Sequence, residues 1–299
     1  MRVLLTGASG FLGKTIHRGL KHLYDIKTLG RTEDSDILCD LSKQVPNLPE
    51  FYNGIIHCAG KAHIVPKTKS EEEEFIKVNY EGTINLLQGL LSLTKPEFFI
   101  FISTVAVYGR ENGKGISEEH PLNGETPYAK SKILAEEYLK TWALENNVRL
   151  SILRLPLVAG LNPPGNLGAM IYGIRKGRYF GIGKSEAKKS VVWAEDIGSI
   201  IPILSNNEGT YNLTDGYHPT FCELEICISN ALGKKNPYHI PISLARVIAK
   251  AGDILGNKAP LTSSKLNKMM STLVFDDSKA RRLLNWTPSK VLDKLPLVL

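Results

Sequence analysis

Cysteine is scarce in this chain and follows no pattern. The four thiols are Cys39, Cys58, Cys222 and Cys227. None is spaced as a C-x-x-C or as a thiolate metal site, so no metal is expected. No disulfide framework is expected either, and the four read as reduced thiols of a cytoplasmic protein. Long apolar runs are also missing. Nothing approaches the roughly 20 residues needed to span a bilayer, which excludes membrane insertion. The opening MRVLLTGASG enters a strand at once, without the apolar core of a secretory signal. There is no internal repeat and no linker of disordered composition. Acidic residues are outnumbered, 30 against 37 Lys and Arg, giving a net charge of +7. That excess suits an anionic ligand of nucleotide diphosphate type, or a loose affinity for nucleic acid or anionic lipid; spread along the chain rather than clustered, it can equally serve solubility alone. No nucleic-acid partner is expected.

What is present is ordinary globular composition, 42% hydrophobic and 22% charged, with a strand–helix alternation from the first residue. Apolar runs at 2–6, 25–29, 54–58, 98–103 and 150–153 read as buried strands. Helical patterns lie at 11–23, 70–93 and 126–146. This alternation predicts an α/β fold of Rossmann type, a doubly wound parallel sheet with helices on both faces. After about residue 154 the pattern turns irregular. LNPPGNLG and RYFGIGKSEAKKS read as loops, and helices follow near 220–232, 243–255 and 277–284. The expectation is a Rossmann domain over 1–155. A smaller mixed α/β substrate lobe over 156–299 would be interleaved with the last strands of the sheet. The acidic run 71–74 reads as a helix first turn, where carboxylates meet the positive end of the dipole.

Thr6-Gly7-Ala8-Ser9-Gly10-Phe11-Leu12-Gly13 links the first strand to the first helix. Gly7 permits the tight turn and Gly10 lets a pyrophosphate approach the backbone. Gly13 lets the helix pack closely on the strand. A glycine triad alone is weak, but strand before and amphipathic helix after are the context it requires. An acidic residue ending the second strand would bind ribose hydroxyls and select NAD. Gly30-Arg31 stands there instead, and Arg31 offers a fork of donors to a 2′-phosphate, so NADP(H) is favoured with NAD(H) left open. Tyr128 and Lys132 are spaced i, i+4 and share one helix face. An ammonium beside a phenol lowers its pKa and fits it for proton transfer near neutrality. Thr104 supplies a hydroxyl at the end of the preceding strand. His57, in an apolar strand end, reads as packed, and Cys58 as small and buried. His63, after the third strand, could touch substrate.

These motifs resemble the extended branch of the short-chain dehydrogenases/reductases, over nearly the whole chain. The resemblance implies Thr104, Tyr128 and Lys132 as the catalytic group. It also implies cofactor contacts from Gly7, Gly10, Phe11, Leu12, Gly13 and Arg31, and from Asp40-Leu41 at the adenine. Further contacts are implied from Ala59-Gly60, from Asn79 behind the nicotinamide, and from Ser103 and Leu155, besides Tyr128 and Lys132 themselves. Asn166, in a Gly-Asn loop, and Lys189 are implied on the substrate diphosphate, with Thr104 and Tyr128 at the sugar. Arg154-Leu155-Pro156 through Gly160, VVWAEDIGSII and DDSKARRLLNWTP match later signatures of the branch, with Trp193 where a histidine is usual. Arg281 and Arg282, in the last of these, read as surface residues. Within the branch the likeness is to bacterial enzymes of surface-polysaccharide assembly. It implies a UDP-linked sugar substrate and reduction of the C4 keto group of a UDP-4-keto-6-deoxy-N-acetylhexosamine. A 4-epimerase is the alternative, and a non-enzymatic NAD(P)-binding protein is disfavoured because Tyr128 and Lys132 are both kept. A homodimer stays open.

Overall fold

The computed structural model describes residues 1–62, 64–91, 93–256, 259 and 261–299; His63 lies outside them. Seven parallel strands form the main sheet in the order β11-β7-β5-β4-β1-β2-β3. They are β1 (Arg2–Thr6), β2 (Asp25–Gly30), β3 (Ile37–Leu38), β4 (Gly54–His57), β5 (Phe98–Thr104), β7 (Arg149–Leu155) and β11 (Gly209–Asn212). The chain runs outward from β1 to β3, then crosses back to β4 on the other side of β1. The strand order therefore reverses between β1 and β4, where open α/β sheets bind ligands at the carboxyl ends of their strands.

Both faces are covered, which is why the central strands are apolar without alternation. On one face Val3 and Leu5 meet Ile16 and Leu20 of α1 (Phe11–Leu20) and Ile197 and Ile201 of α6 (Ala194–Leu204). Leu4, pointing the other way, meets Leu86 and Leu87 of α3 (Gly82–Gly89) and Ala135 and Leu139 of α4 (Pro127–Glu145). Trp286, near the C-terminus, packs into the first of these cores and donates its indole N–H to the Thr214 carbonyl at 3.0 Å.

The helix expected over 70–93 is three pieces. These are α2 (Lys69–Phe75), a wider π-type segment (Ile76–Glu81), and α3. Thr68 caps α2 by accepting from the Glu71 N–H, and Glu71 and Glu72 occupy its first turn.

Beyond the sheet, smaller parallel pairs form. β8 (Leu157–Ala159) joins β10 (Val191–Trp193), β9 (Phe180–Ile182) joins β12 (Tyr238–Ile240), and β6 (Gly113–Ile116) joins β13 (Leu273–Phe275). Two segments read as loops hold regular structure. LNPPGNLG opens α5 (Gly165–Arg175), whose Leu167, Met170, Ile171 and Ile174 form a buried stripe at helical spacing. RYFGIG contains β9. Gly165, Gly168, Gly181 and Gly183 masked both periodicities. α7 (Phe221–Ala231) starts in a capping box of Thr220 and Glu223. It is followed by α8 (Ile242–Leu255), α9 (Ser263–Met270), α10 (Ser278–Leu284) and α11 (Val291–Lys294). Among the described residues no helix is long and apolar enough to cross a membrane.

Candidate active site

Thr104 ends β5 beside Leu155, its register partner at the end of β7. The chain then tightens into a 3₁₀ turn, Val105–Tyr108, and the Ala106 N–H donates to Thr104 Oγ1 at 3.2 Å. α4 begins where Thr126 Oγ1 accepts from the Ala129 N–H at 3.2 Å, with Pro127 in the first turn. This start brings the Tyr128 phenol within hydrogen-bonding reach of Thr104. Lys132 follows one turn later, buried, with Nζ donating to the Ile102 carbonyl at 2.8 Å and standing 4.4 Å over the Phe101 ring. Burial lowers the Lys132 ammonium to about 8, against the opposing pull of Cys58 and Glu136. Tyr128 departs from the sequence expectation. Burial pushes its phenol above the ordinary value, and the hydrogen bond with Thr104 only partly offsets this. The Lys132 ammonium is directed at the Ile102 carbonyl and the Phe101 ring.

The glycine turn lies across β1 and β4 from this group. Gly7 has φ +71°, and a Cβ there would fall 2.6 Å from the Ala59 nitrogen. The Ala59 N–H donates to Thr6 Oγ1 at 3.1 Å, fixing that approach. Gly10 precedes α1, and a Cβ on it would meet only the Gly7 carbonyl, at 3.3 Å. The N-terminus of α1 is thus open, with no carboxylate in its first turn, and fits a pyrophosphate. Phe11 and Leu12 form that first turn, and the Phe11 ring closes on Gly160 at the end of β8. At Gly60 a Cβ would sit 3.0 Å from Asn79 Oδ1 and 3.4 Å from Lys132 Nζ. Asn79 holds this loop twice, accepting from the Lys61 N–H at 2.6 Å and donating to its carbonyl at 3.0 Å. The same amide donates to Ser131 Oγ on α4 at 2.9 Å. One chain of contacts therefore joins the glycine turn, the 59–61 loop, Asn79 and Lys132.

Other expected residues stand differently. Arg31 is exposed just past β2. Asp40 is half-buried; burial raises its carboxyl, but hydrogen bonds from Ser42 and the charges of Arg31 and Lys43 leave it below the ordinary value. Leu41 is buried, and its carbonyl accepts from Asn85 at 2.7 Å. The Ser103 hydroxyl faces away from Thr104, because neighbours on a strand alternate, and donates to Glu136 at 2.5 Å. The Leu155 side chain belongs to the core. Asn166 lies exposed in the first turn of α5 rather than in a loop. Lys189 is half-buried, its ammonium donating to the Lys268 carbonyl at 2.9 Å and lowered to about 8 by burial. It stands 6.0 Å from the Phe221 ring, which lines a cleft of 520 Å³ together with Lys184, Ser185, Glu225 and Met270. Arg281 and Arg282 are exposed, with Arg281 paired to Asp277 at 2.9 Å.

His57 is enclosed between the Thr6 and Thr83 hydroxyls, at 2.6 and 3.0 Å, and burial lowers it to about 3. Burial pushes the Cys58 thiol up to about 12, leaving no reactive thiolate. No group of His, Cys, Asp and Glu among the described residues could hold a metal. Two features escaped the sequence reading. Lys61 pairs with Glu74, tying the 59–61 loop to α2. Beneath the site, Glu136 on α4 is paired with Arg154 on β7 at 2.7 Å, and both are buried. Arg154 also donates to Tyr108 Oη at 3.1 Å. A signal for Glu136 existed, since 128, 132 and 136 recur at four-residue spacing on one helix face.

A parallel sheet of this order, a tight glycine turn after its first strand and a Tyr-x-x-x-Lys helix against β5 together define an extended short-chain dehydrogenase/reductase. The sequence profile of the NAD dependent epimerase/dehydratase family matches residues 3–213, and the chain belongs to that family. Among curated relatives, the N-acetyl-alpha-D-glucosaminyl-diphospho-ditrans,octacis-undecaprenol 4-epimerase of Escherichia coli O157:H7 is 28% identical over 302 residues, covering 93% of this chain and 88% of the relative. GDP-6-deoxy-D-mannose reductase of Pseudomonas aeruginosa is 32% identical over 170 residues, 51% of either chain. The fold matches a solved UDP-glucose 4-epimerase of Thermotoga maritima with TM-score 0.77, at 20% identity and covering 100% of this chain and 97% of that one.

Proposed function

We propose that this chain is an NAD(P)-dependent nucleotide-sugar oxidoreductase that reduces a C4 keto group, with UDP-4-keto-6-deoxy-N-acetylhexosamines as its substrate class. The observation that carries the chemistry is that Tyr128 and Lys132, one turn apart on α4, stand against Thr104 and against Gly60 beside Asn79 respectively. The glycine turn and α1 N-terminus would hold the pyrophosphate, Asp40-Leu41 the adenine, and Ala59, Gly60, Asn79 and Leu155 the remaining length of the dinucleotide. Ser103 would contribute through its backbone. When bound, the nicotinamide supplies hydride to the sugar carbon. Tyr128 Oη gives its proton to the sugar oxygen, and Thr104 Oγ1 donates a hydrogen bond to the same oxygen. Lys132 stabilises the phenolate left behind. Elimination of water would need a carboxylate after the threonine; Val105-Ala106 stands there, which speaks against a dehydratase.

Residues 1–155 would form the cofactor half and 156–299 mainly the substrate half. Lys189 and Asn166 would hold the diphosphate, with the 520 Å³ cleft beside Phe221 offering room for the nucleotide. A homodimer would be compatible with this arrangement.

Exposed Arg31, after a strand end that lacks a carboxylate, supports NADP(H) and hence net reduction. A charge-assisted hydrogen bond to phosphate is worth about 1.5–3 kcal/mol. NADPH is therefore expected to bind at least about tenfold more tightly than NADH, and Arg31→Ala to erase the difference. Equal affinities in the parent protein, measured by fluorescence titration, would remove the support for NADP(H).

A second reading has its own support. The E. coli relative that covers nearly the whole chain is a 4-epimerase, whereas the reductase covers about half. In epimerisation Tyr128 first takes the C4 hydroxyl proton and later returns it, and cofactor is not consumed overall. Its substrate carries the sugar on a diphosphate, as a UDP-sugar does. Turnover of NADPH in proportion to product separates the two.

A further inference from the structure

Helix α8 is turned the wrong way round for a helix of a closed globule. Its sequence, ISLARVIAKAGDIL, carries Leu244, Val247, Ile248, Ala251, Ile254 and Leu255 at intervals of three and four, an apolar stripe along one face. That stripe points outward. Val247 is 65% exposed, Ile254 89% and Leu255 67%. The residues turned inward are the small ones, Ala245, Ala249 and Gly252. Close approach fixes this orientation: a Cβ on Gly252 would collide with the Leu261 carbonyl and come within 3.1 Å of Ala259. Ala245 and Ala249 pack on Ile182 and Ile240 of the β9–β12 ribbon and on Leu266 of α9.

The same ribbon extends the apolar surface. Phe180 and Tyr238 are register partners and lie two residues before Ile182 and Ile240, hence on the same face of the ribbon as α8. Both are exposed. Cations outnumber acids along the helix and the ribbon. Arg246 and Lys250 border the stripe along the helix. Arg178, Lys176, Lys234 and Lys235 lead into the two parallel strands at one end of the ribbon, and all are exposed. The single carboxylate of α8, Asp253, accepts from the Ser263 N–H and hydroxyl at 2.9 and 2.6 Å, and is engaged with the start of α9.

We propose that α8 docks this protein on an anionic lipid surface, its apolar stripe lying in the headgroup–acyl boundary and Arg246 and Lys250 reaching lipid phosphates. An exposed apolar stripe bordered by cations is the pattern of an interfacial helix, and basic residues beside it are attracted to anionic headgroups. A second copy of the chain, seated stripe to stripe about a two-fold axis, would bring two cations from each copy to the seam against one acid, Asp253, already engaged by Ser263. The docking is peripheral and involves no residue of the proposed catalytic group.

Co-sedimentation of the full chain with vesicles of phosphatidylcholine, with and without phosphatidylglycerol, tests this. The parent protein is expected to sediment with the anionic vesicles at low salt, and to be partly released by added salt. Val247→Glu/Ile254→Glu should weaken that binding at least about tenfold, with melting temperature and NADPH affinity unchanged because both positions face solvent. Arg246→Gln/Lys250→Gln should weaken it on anionic vesicles while leaving the apolar stripe intact, a second measurement should the first variant not fold. Absence of parent binding to anionic vesicles would overturn the proposal, as would equal binding by both variants. So would a parent dimer in sedimentation velocity that Val247→Glu/Ile254→Glu converts to monomer, since a second copy would then cover the stripe.

Discussion

At the scale of single residues, Lys132 is the position where burial and chemistry meet. Its ammonium is held between the Ile102 carbonyl and the Phe101 ring, and the lack of water around it lowers its pKa to about 8. An ordinary lysine keeps its proton to about 10.4. The protonated form is the one that can stabilise a Tyr128 phenolate. Activity is therefore expected to be full below pH 8 and to fall as the pH rises through that value. In Lys132→Ala the remaining activity should be lower by ~10²–10⁴-fold and should lose this alkaline limb. A pH–rate profile of the variant with the parent's limb intact would assign that limb to another group. The spacing of Tyr128 and Lys132 made their common face legible in the sequence. The raised phenol was not legible, because it depends on enclosure near Phe75.

At the scale of elements, the frame under the site is the α4–β7 contact. Glu136 takes two hydrogen bonds from the Arg154 Nε, at 3.2 Å each, and one from Nη2 at 2.7 Å, with no solvent to share the charge. Removing one partner of a buried pair leaves the other uncompensated, at a cost of about 3–5 kcal/mol. Glu136→Gln should lower the unfolding free energy by that order in urea titrations, and Glu136→Leu/Arg154→Met should recover much of it. A Glu136→Gln protein as stable as the parent would show that the guanidinium is otherwise satisfied. Arg154 already stood out as the start of RLPLVAG, and Glu136 continued the spacing of Tyr128 and Lys132, yet nothing local says that a strand and a helix 18 residues apart bury their charges together. Strands with unbroken apolar runs, such as FFIFIST, were legible because burial on both faces leaves that mark. α5 was not, because Gly165 and Gly168 interrupt a stripe that Leu167, Met170, Ile171 and Ile174 otherwise make plain. The π-type turn at Ile76–Glu81 leaves no sequence signature, although it carries Asn79, which the family resemblance implied.

At the scale of the whole molecule, the chain returns from its C-terminal half to complete the main sheet with β11, and Trp286 packs into the sheet's core. Elements after residue 155 are thereby joined to the strands that carry Thr104. A diphosphate held by Lys189 and Asn166 would draw on both parts. UDP is expected to slow proteolysis of the C-terminal half, and Lys189→Ala to weaken UDP binding in calorimetry about tenfold or more, in line with loss of a hydrogen bond to a charged group, with dinucleotide affinity unchanged. Unaltered UDP affinity in the variant would move the nucleotide site elsewhere.

The central claim is that Tyr128 transfers the proton while a nicotinamide exchanges hydride with a nucleotide-linked sugar. Its most direct test follows nicotinamide absorbance and sugar product together in the parent and in Tyr128→Phe, with a panel of UDP-4-keto sugars and UDP-hexoses. The phenyl ring keeps the packing, so the variant should fold and bind cofactor. The parent is expected to turn over a UDP-linked substrate, and Tyr128→Phe to lose ~10²–10⁴-fold in rate. A folded, cofactor-bound Tyr128→Phe protein working at the parent's rate would contradict the account.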